Sequence, residues 1–201
     1  MPDPQPALLV DRATMAEVFG EADLATVGEV QAAVLTHAPT RGFLTRIGLP
    51  DQADTQGWFH RALDLDEEAG DVTDGRMCLG EIPYDSVDVD TATGVVHVTP
   101  EDADGSCVLN SSLDVFAYLL CVLEAERPCY SGEAEQTLAD PVVRRRAEEL
   151  LDRLHGAPHA SVGPTPQARL RAAIERVDPA ALAHPDSTWH RVLELVTDGI
   201  A

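Results

Sequence analysis

Residues 85–99 read "DSVDVDTATGVVHVT", and their pattern decides the fold class. Apolar and polar side chains alternate through "DSVDVD", which puts Val87 and Val89 on one face of a strand and Asp88 and Asp90 on the other. "TATG" supplies a turn, and in the returning "VVHVT" Val96 and Val98 face inward with Val87 and Val89. A period of two on both sides of a short turn predicts an antiparallel hairpin. Upstream, "MCLGEI" (77–82) reads as another short strand. Downstream, "EDADG" (101–105) makes a second turn and "SCVL" (106–109) a further strand. The middle of the chain is therefore a meander, and its sheet is expected to be mostly antiparallel.

The period lengthens at "VLNSSLDVFAYLLCVLE" (108–124), where Leu113, Phe116, Leu120 and Leu123 recur at spacings of three and four. Ser111 followed by Asp114 is a capping-box pattern with Asp in place of Glu, so the serines read as a strand-to-helix junction. No GxSxG motif surrounds them, and a nucleophilic role has no support. Helical patterns continue on both sides. "DRATMAEVFG" (11–20) predicts a short helix stopped at Gly20, and "TVGEVQAAVL" (26–35) a second. In "THAPTRGFLTRIGLP" (36–50), Phe43, Leu44 and Ile47 share a helical face that Gly48 and Pro50 close. "DPVVRRRAEELLDRL" (140–154) has Asp140 as cap and Pro141 in the first turn, with Val143, Ala147, Leu150, Leu151 and Leu154 inward. "HGAPHASVGP" (155–164) reads as a loop, and "TPQARLRAAIERV" (165–177) turns Leu170, Ile174 and Val177 inward. "DSTWHRVLELVTDG" (186–199) carries the stripe Trp189, Val192, Leu193 and Val196, with Gly199 as its stop. The fold class is α+β, a central antiparallel sheet flanked by helices. With 201 residues the expectation is one domain, a helical preface over 1–35 and a core over 36–201.

Charge narrows the partners. The chain holds 35 acidic and 14 basic residues, a formal net charge of −21, and every basic residue is Arg. Such a surface repels phosphate backbones and anionic membranes, so neither nucleic acid nor a membrane is an expected partner. A basic protein would be steered toward it. No stretch is apolar enough to span a bilayer, and "MPDPQPALLV" lacks the basic start of a secretory signal, which points to the cytoplasm. Cys78, Cys107, Cys121 and Cys129 form no CxxC pair, and buried free thiols are the expectation.

The search for chemistry returns little. His155 and His159 have a helical i, i+4 spacing, but Gly156 and Pro158 lie between them, so a surface loop is expected there rather than a metal site. His97 falls on the outer face of its strand, across from Asp88 or Asp90. "EDADG" fails as a calcium loop because Pro100 and Ser111 hold the first and twelfth positions. Neither a Walker motif nor GxGxxG is present. The run Arg144–Arg146 pairs readily with Glu148 and Glu149 one turn on. These residues indicate a binder with no catalytic residue, metal or cofactor.

Several of these segments resemble one family. "PTRGFLTRIGLP" (39–50) is similar to the N-terminal signature of the SUKH superfamily, "VDVDTATGVVHV" (87–98) to its central hairpin, and "VLNSSLDVFAYLL" (108–120) to its strand-to-helix junction. "VDPAALAHPDSTWHRVLELVTDG" (177–199) is similar to the final helix of a bacterial branch, while residues 57–80 match poorly. The resemblance implies a helix-flanked antiparallel sheet. It also implies an immunity protein of a bacterial polymorphic toxin system, one that binds its cognate toxin directly. Such toxins are often nucleases or nucleic-acid deaminases, and the family brings no catalytic residue with it. Clustering and expected exposure then make Asp85, Asp88, Asp90, Glu101, Asp102 and Asp104 the candidate partner-binding residues, facing a toxin with a basic surface. A regulatory or scaffold protein on the same fold, and a small-molecule binder, are the alternatives.

Overall fold

A computed structural model describes residues 8–51, 58–61, 72–82, 85–101, 105–129 and 140–198. By contact density the chain divides into two compact units, residues 1–117 and 118–201.

In the first unit, helix α1 (Arg12–Phe19) begins where Asp11 accepts the Thr14 N–H at 2.8 Å and ends at Gly20, whose φ is +96°. Strand β1 (Leu24–Ala25) pairs with β2 (Leu49–Pro50), and between them run α2 (Glu29–Val34) and α3 (Ala38–Arg46). Phe43, Leu44 and Ile47 are buried as their spacing predicts. The main sheet is antiparallel. Its order is β3 (His60–Arg61), β5 (Arg76–Ile82), β6 (Asp85–Asp90), β7 (Val96–Thr99) and β8 (Cys107–Asn110), with β4 (Val72–Thr73) also on β5. Met77, Leu79, Val87, Val89, Val96 and Val98 all point inward and none exceeds 1% exposure, so the alternation expected of β6 and β7 holds and extends to the first half of β5. Helix α4 (Leu113–Glu126) follows β8, and its Phe116 meets Phe59 edge to face at 5.6 Å.

The junction before α4 differs in register from the capping-box reading. Ser112, not Ser111, immediately precedes the helix: its carbonyl accepts the Phe116 N–H, and its hydroxyl donates to Asp114 at 2.6 Å. The acid is thus two residues past the cap, one short of the capping-box spacing.

The second unit contains α5 (Pro141–His155), the four-residue α6 (His159–Val162), α7 (Pro166–Val177) and α8 (Thr188–Asp198). Asp140 caps α5 through the Val142 N–H at 2.8 Å, and Thr165 caps α7 through the Ala168 N–H at 3.2 Å. Leu170, Ile174, Trp189, Val192, Leu193 and Val196 form the core of α7 and α8. Several expectations are corrected here. Val143 is 43% exposed, because the whole first turn and a half of α5 stands in solvent. Val177 is half-buried. The loop expected over 155–164 starts with the last residue of α5 and contains α6. His155 is buried rather than on a surface loop. Gly199 lies outside the described residues.

Candidate functional site

The alternation that buries the valines also builds a second face. Outward on adjacent strands stand Arg76 and Cys78 of β5, Ser86, Asp88 and Asp90 of β6, and His97 and Thr99 of β7, all half-buried, with Val108 of β8 exposed. Registers across the sheet place Asp88 between Cys78 and His97, continue that row to Val108, and set Arg76 opposite Asp90. The Arg76 guanidinium donates to the Ser106 hydroxyl. Glu81 and Glu101 are exposed at the end of the sheet where Ser86 and Thr99 pair. This face carries more anions than cations.

The six acidic residues singled out by sequence do not share one environment. Asp88 and Asp90 lie side by side on the outer face. Asp85 is only 2% exposed, which corrects its reading as a surface residue: it shares strand parity with Val87 and Val89 and points inward with them. Its carboxylate accepts the Glu101 N–H at 3.4 Å, a weak contact that pins the strand end. Asp102 and Asp104 lie outside the described residues. Glu81 and Arg76, which the sequence reading passed over, belong to the same face.

The electrostatics follow from these positions. Burial pushes the Asp88 carboxyl up, while Arg76 and His97 pull the other way. Asp90 is held below the usual carboxylate range by the N–H and hydroxyl of Thr93, and its Oδ1 accepts from the Ala92 and Thr93 N–H groups at 2.9 and 2.7 Å. Burial lowers the His97 imidazole and Arg76 adds to this, against the opposite pull of Asp90 and Asp88. Burial and then Asp88 push the Cys78 thiol up. Cys78 is therefore held as a thiol. His97 stands two strands away from it, roughly 9–10 Å in a regular sheet, too far to take its proton. Cys, His and Asp are neighbours here without forming a Cys–His dyad. Among the described residues no group of three His, Cys, Asp or Glu side chains is arranged to hold a metal ion.

Of the cysteines expected to be buried free thiols, Cys121 is buried, Cys78 and Cys129 are half-buried, and Cys107 is exposed.

A different polar cluster is enclosed in the second unit. Arg169 of α7 donates from Nε and Nη2 to the two oxygens of Glu126 at 2.6 Å each, and His155 Nε2 lies 3.4 Å from Glu126 Oε1. The side chains of Glu126 and His155 are 0% and 1% exposed. Burial raises the Glu126 carboxyl, but the hydrogen bonds of Arg169 and His155 outweigh it and hold the group below its usual range. Beside this pair is a cavity of about 130 Å³ lined by Ala125, Cys129, Ala147, Leu151, His159 and Arg169, with Arg144 and Glu148 at its wall. Ligand sites for drug-sized molecules run to about 300–1,000 Å³, so this space is small for that use. His159 itself hydrogen-bonds Asp152 at 2.7 Å.

Three of the four segments that suggested a family lie close together in the first unit: 39–50, 87–98 and the start of 108–120. The Thr91 carbonyl at the β6–β7 turn accepts the N–H groups of Thr36 and His37 at 2.9 Å, and the Thr91 N–H and hydroxyl both donate to the Gly75 carbonyl at 2.9 Å. Gly94 has φ +77°, and a Cβ there would overlap His37 Nδ1 and lie 2.5 Å from Thr40 Oγ1. A gap of about 20 Å³ beside this clasp is lined by Leu8, His37, Pro39, Thr40, Phe43, Ser112, Leu113 and Asp114. The segment that opens α3 is thus tied to the hairpin turn, and the strand-to-helix junction lies beside both.

Comparison with protein families agrees with this architecture. The model of the SUKH-4 immunity protein family matches residues 10–195, so the chain belongs to that family, and the match takes in much of the segment read as a preface. No significant match was found among curated proteins or among solved structures. Among the described residues no helix is long and apolar enough to cross a membrane.

Proposed function

We propose that this immunity protein binds one cognate toxin, a nuclease or nucleic-acid deaminase with a basic cleft, and occludes the cleft with the outer face of its sheet. Family membership supplies the immunity role. The observation that carries the finer reading is the acidic face itself, in which Asp88 and Asp90 stand on a rigid strand with Glu81 and Glu101 exposed at one end. A cleft built to hold a phosphate backbone attracts such a surface over a Debye length, and the sheet presents its carboxylates with little conformational entropy to lose. Occlusion asks for no catalytic group on this chain, in keeping with a family of inhibitors rather than enzymes. The protein would act in the cytoplasm, where the toxin threatens the producing cell.

Two measurements test the reading. Expression of the large reading frame neighbouring this gene should arrest growth, co-expression of this protein should restore it, and the two chains should co-purify. Association is then followed at low salt with Asp88→Asn combined with Asp90→Asn, where the amide oxygen introduced at position 90 can still accept the turn N–H bonds. Loss of both charges should slow association by about ten-fold, with the difference vanishing in molar salt. Equal on-rates at low salt would remove this face from the interface.

A further inference from the structure

The outer face of the sheet holds two polar groups that the fold itself does not use. Their neighbours are engaged: Arg76 donates to the Ser106 hydroxyl, and Asp90 accepts the Ala92 and Thr93 N–H groups. Asp88 and His97 differ. Among the described residues neither side chain makes a hydrogen bond or an ion pair, although each is half-buried. Register sets them directly opposite one another on β6 and β7, where facing Cβ atoms stand about 4.5–5.5 Å apart. The next position in the row is Val108 of β8, 57% exposed. Polar groups drawn out of water ordinarily gain a partner in exchange, so two adjacent ones without a partner mark a place for a group from outside.

We infer that Asp88 and His97 together seat one cationic side chain of the toxin, a guanidinium or ammonium group. This rests on the outer-face reading above and names what that face recognises. Asp88 supplies a charge, a neutral His97 nitrogen supplies a second acceptor, and Val108 lies against the methylene stem. Cationic side chains suit the pair because they offer several donors and no acceptor. The carboxylates of Asp88 and Asp90 on the face itself select a basic partner over a second copy, whose surface carries the same formal charge of −21. His97 takes part only while neutral. The charged groups that face it are Arg76 of β5 and Asp90 and Asp88 of β6, with the Cys78 thiol one strand further on, and Val108 of β8 brings none. Burial and Arg76 lower the imidazole against the pull of the two carboxylates, which keeps it neutral above pH 7. As the pH falls through its folded value the ring gains a proton and repels the seated cation.

Binding kinetics of the intact chain with the product of the large reading frame neighbouring the gene decide the matter. At pH 7.5, Asp88→Asn and His97→Ala should each weaken binding by about ten-fold, chiefly through faster dissociation. Combined, they should lose less than the product of the two effects, because both lose the same cation. Asp90→Asn should slow association at low salt and leave dissociation unchanged, since its carboxylate is already held by the turn. From pH 7.5 to pH 5.5 the wild type should weaken by about five-fold more than His97→Gln, whose amide oxygen accepts without titrating. Equal melting temperatures at pH 7.5 separate these effects from misfolding. Growth rescue and a complex indifferent to Asp88 and His97 would overturn the seat and leave the immunity reading standing. Losses that simply multiply, or one pH profile shared by wild type and His97→Gln, would do the same. Self-association of the free protein that Asp88→Asn abolishes would make the occupant a second copy and overturn it as well. A wild-type chain that neither rescues growth nor forms a complex would remove both readings.

Discussion

Replacing Arg169 with Met should do more than weaken the second unit; it should reverse the sign of its response to pH. In the folded protein the guanidinium bonds both oxygens of Glu126 at 2.6 Å, and the carboxylate is fully enclosed. Removing one partner of a buried pair costs about 3–5 kcal/mol, because the remaining charge stays desolvated. At about 2–4 °C per kcal/mol for a chain of this size, the melting temperature should fall by roughly 6–20 °C at pH 7. The sign follows from Glu126. Its folded pKa is below the ordinary value of 4.5, so the pair's contribution is present above that pH and is lost only as the pH drops through the folded pKa. Between pH 5 and pH 8 this group leaves wild-type stability flat. In Arg169→Met, burial is opposed only by the 3.4 Å contact with His155, and the carboxyl pKa should rise above its unfolded value. A raised folded pKa stabilises at low pH and is lost as pH rises, so the variant should regain stability from pH 7 to pH 5. Adding Glu126→Met to Arg169→Met should recover most of the loss and abolish that slope. Trp189, fully buried on α8, reports unfolding of this unit by fluorescence once Trp58 is changed to Phe. A loss under about 1 kcal/mol, or a variant whose stability does not rise toward pH 5, would refute the account of the pair as a buried, mutually compensated charge couple.

The remaining predictions are smaller in scope. Gly94→Ala should destabilise the first unit by about 3 kcal/mol, from the left-handed backbone and from overlap with His37 and Thr40, with Trp58 fluorescence in urea as the readout; a change under about 1 kcal/mol would mean the clasp yields. In thiol titration of the native protein, exposed Cys107 should react first and buried Cys121, its thiol pushed up by burial, only on unfolding; Cys107→Ser should delete the fast phase.

Much of the first unit was legible because a period of two is written plainly in "DSVDVDTATGVVHVT". The hairpin and the inward valines both follow from it. The same rule, applied one period further, also places Asp85 inward with Val87; grouping acids by proximity in sequence overrode parity and misplaced it. The junction serines went astray by one position, since a pattern of serine and acid cannot separate Ser111 from Ser112 without the first helical residue. Cys107 lies in an apolar run, yet it is exposed at the start of β8 while Leu109 and Asn110 further along are buried, a difference within one short strand that its apolar pattern does not carry. The Glu126–Arg169 pair was missed for a related reason. Each residue interrupts an apolar helix face, which is a signal that a buried charge needs a partner, but the partners are 43 residues apart and only the packed helices bring them together.

On the proposed reading, the sheet separates the two tasks an immunity protein faces. It must keep one fold, and it must recognise one particular toxin. Val87, Val89, Val96 and Val98 are almost wholly buried, where changing even one methylene is felt as a cavity or a clash. Ser86, Asp88, His97 and Thr99 alternate with them on the same strands and remain partly open to solvent, where a substitution ordinarily shifts stability by no more than about 0.5 kcal/mol. Recognition can therefore change at the outward positions with little consequence for the core one residue away. The tie between residues 36–37 and the hairpin turn strengthens this division, because it holds the turn through the backbone of Thr36, His37, Thr91 and Gly75 and the hydroxyls of Thr36 and Thr91, none of which is an outward side chain of the strands. Asp90 marks the limit of that freedom. It faces the candidate interface and also holds the turn through the Ala92 and Thr93 N–H groups, so only a side chain that still accepts those bonds can replace it without loosening the hairpin that the rest of the face depends on.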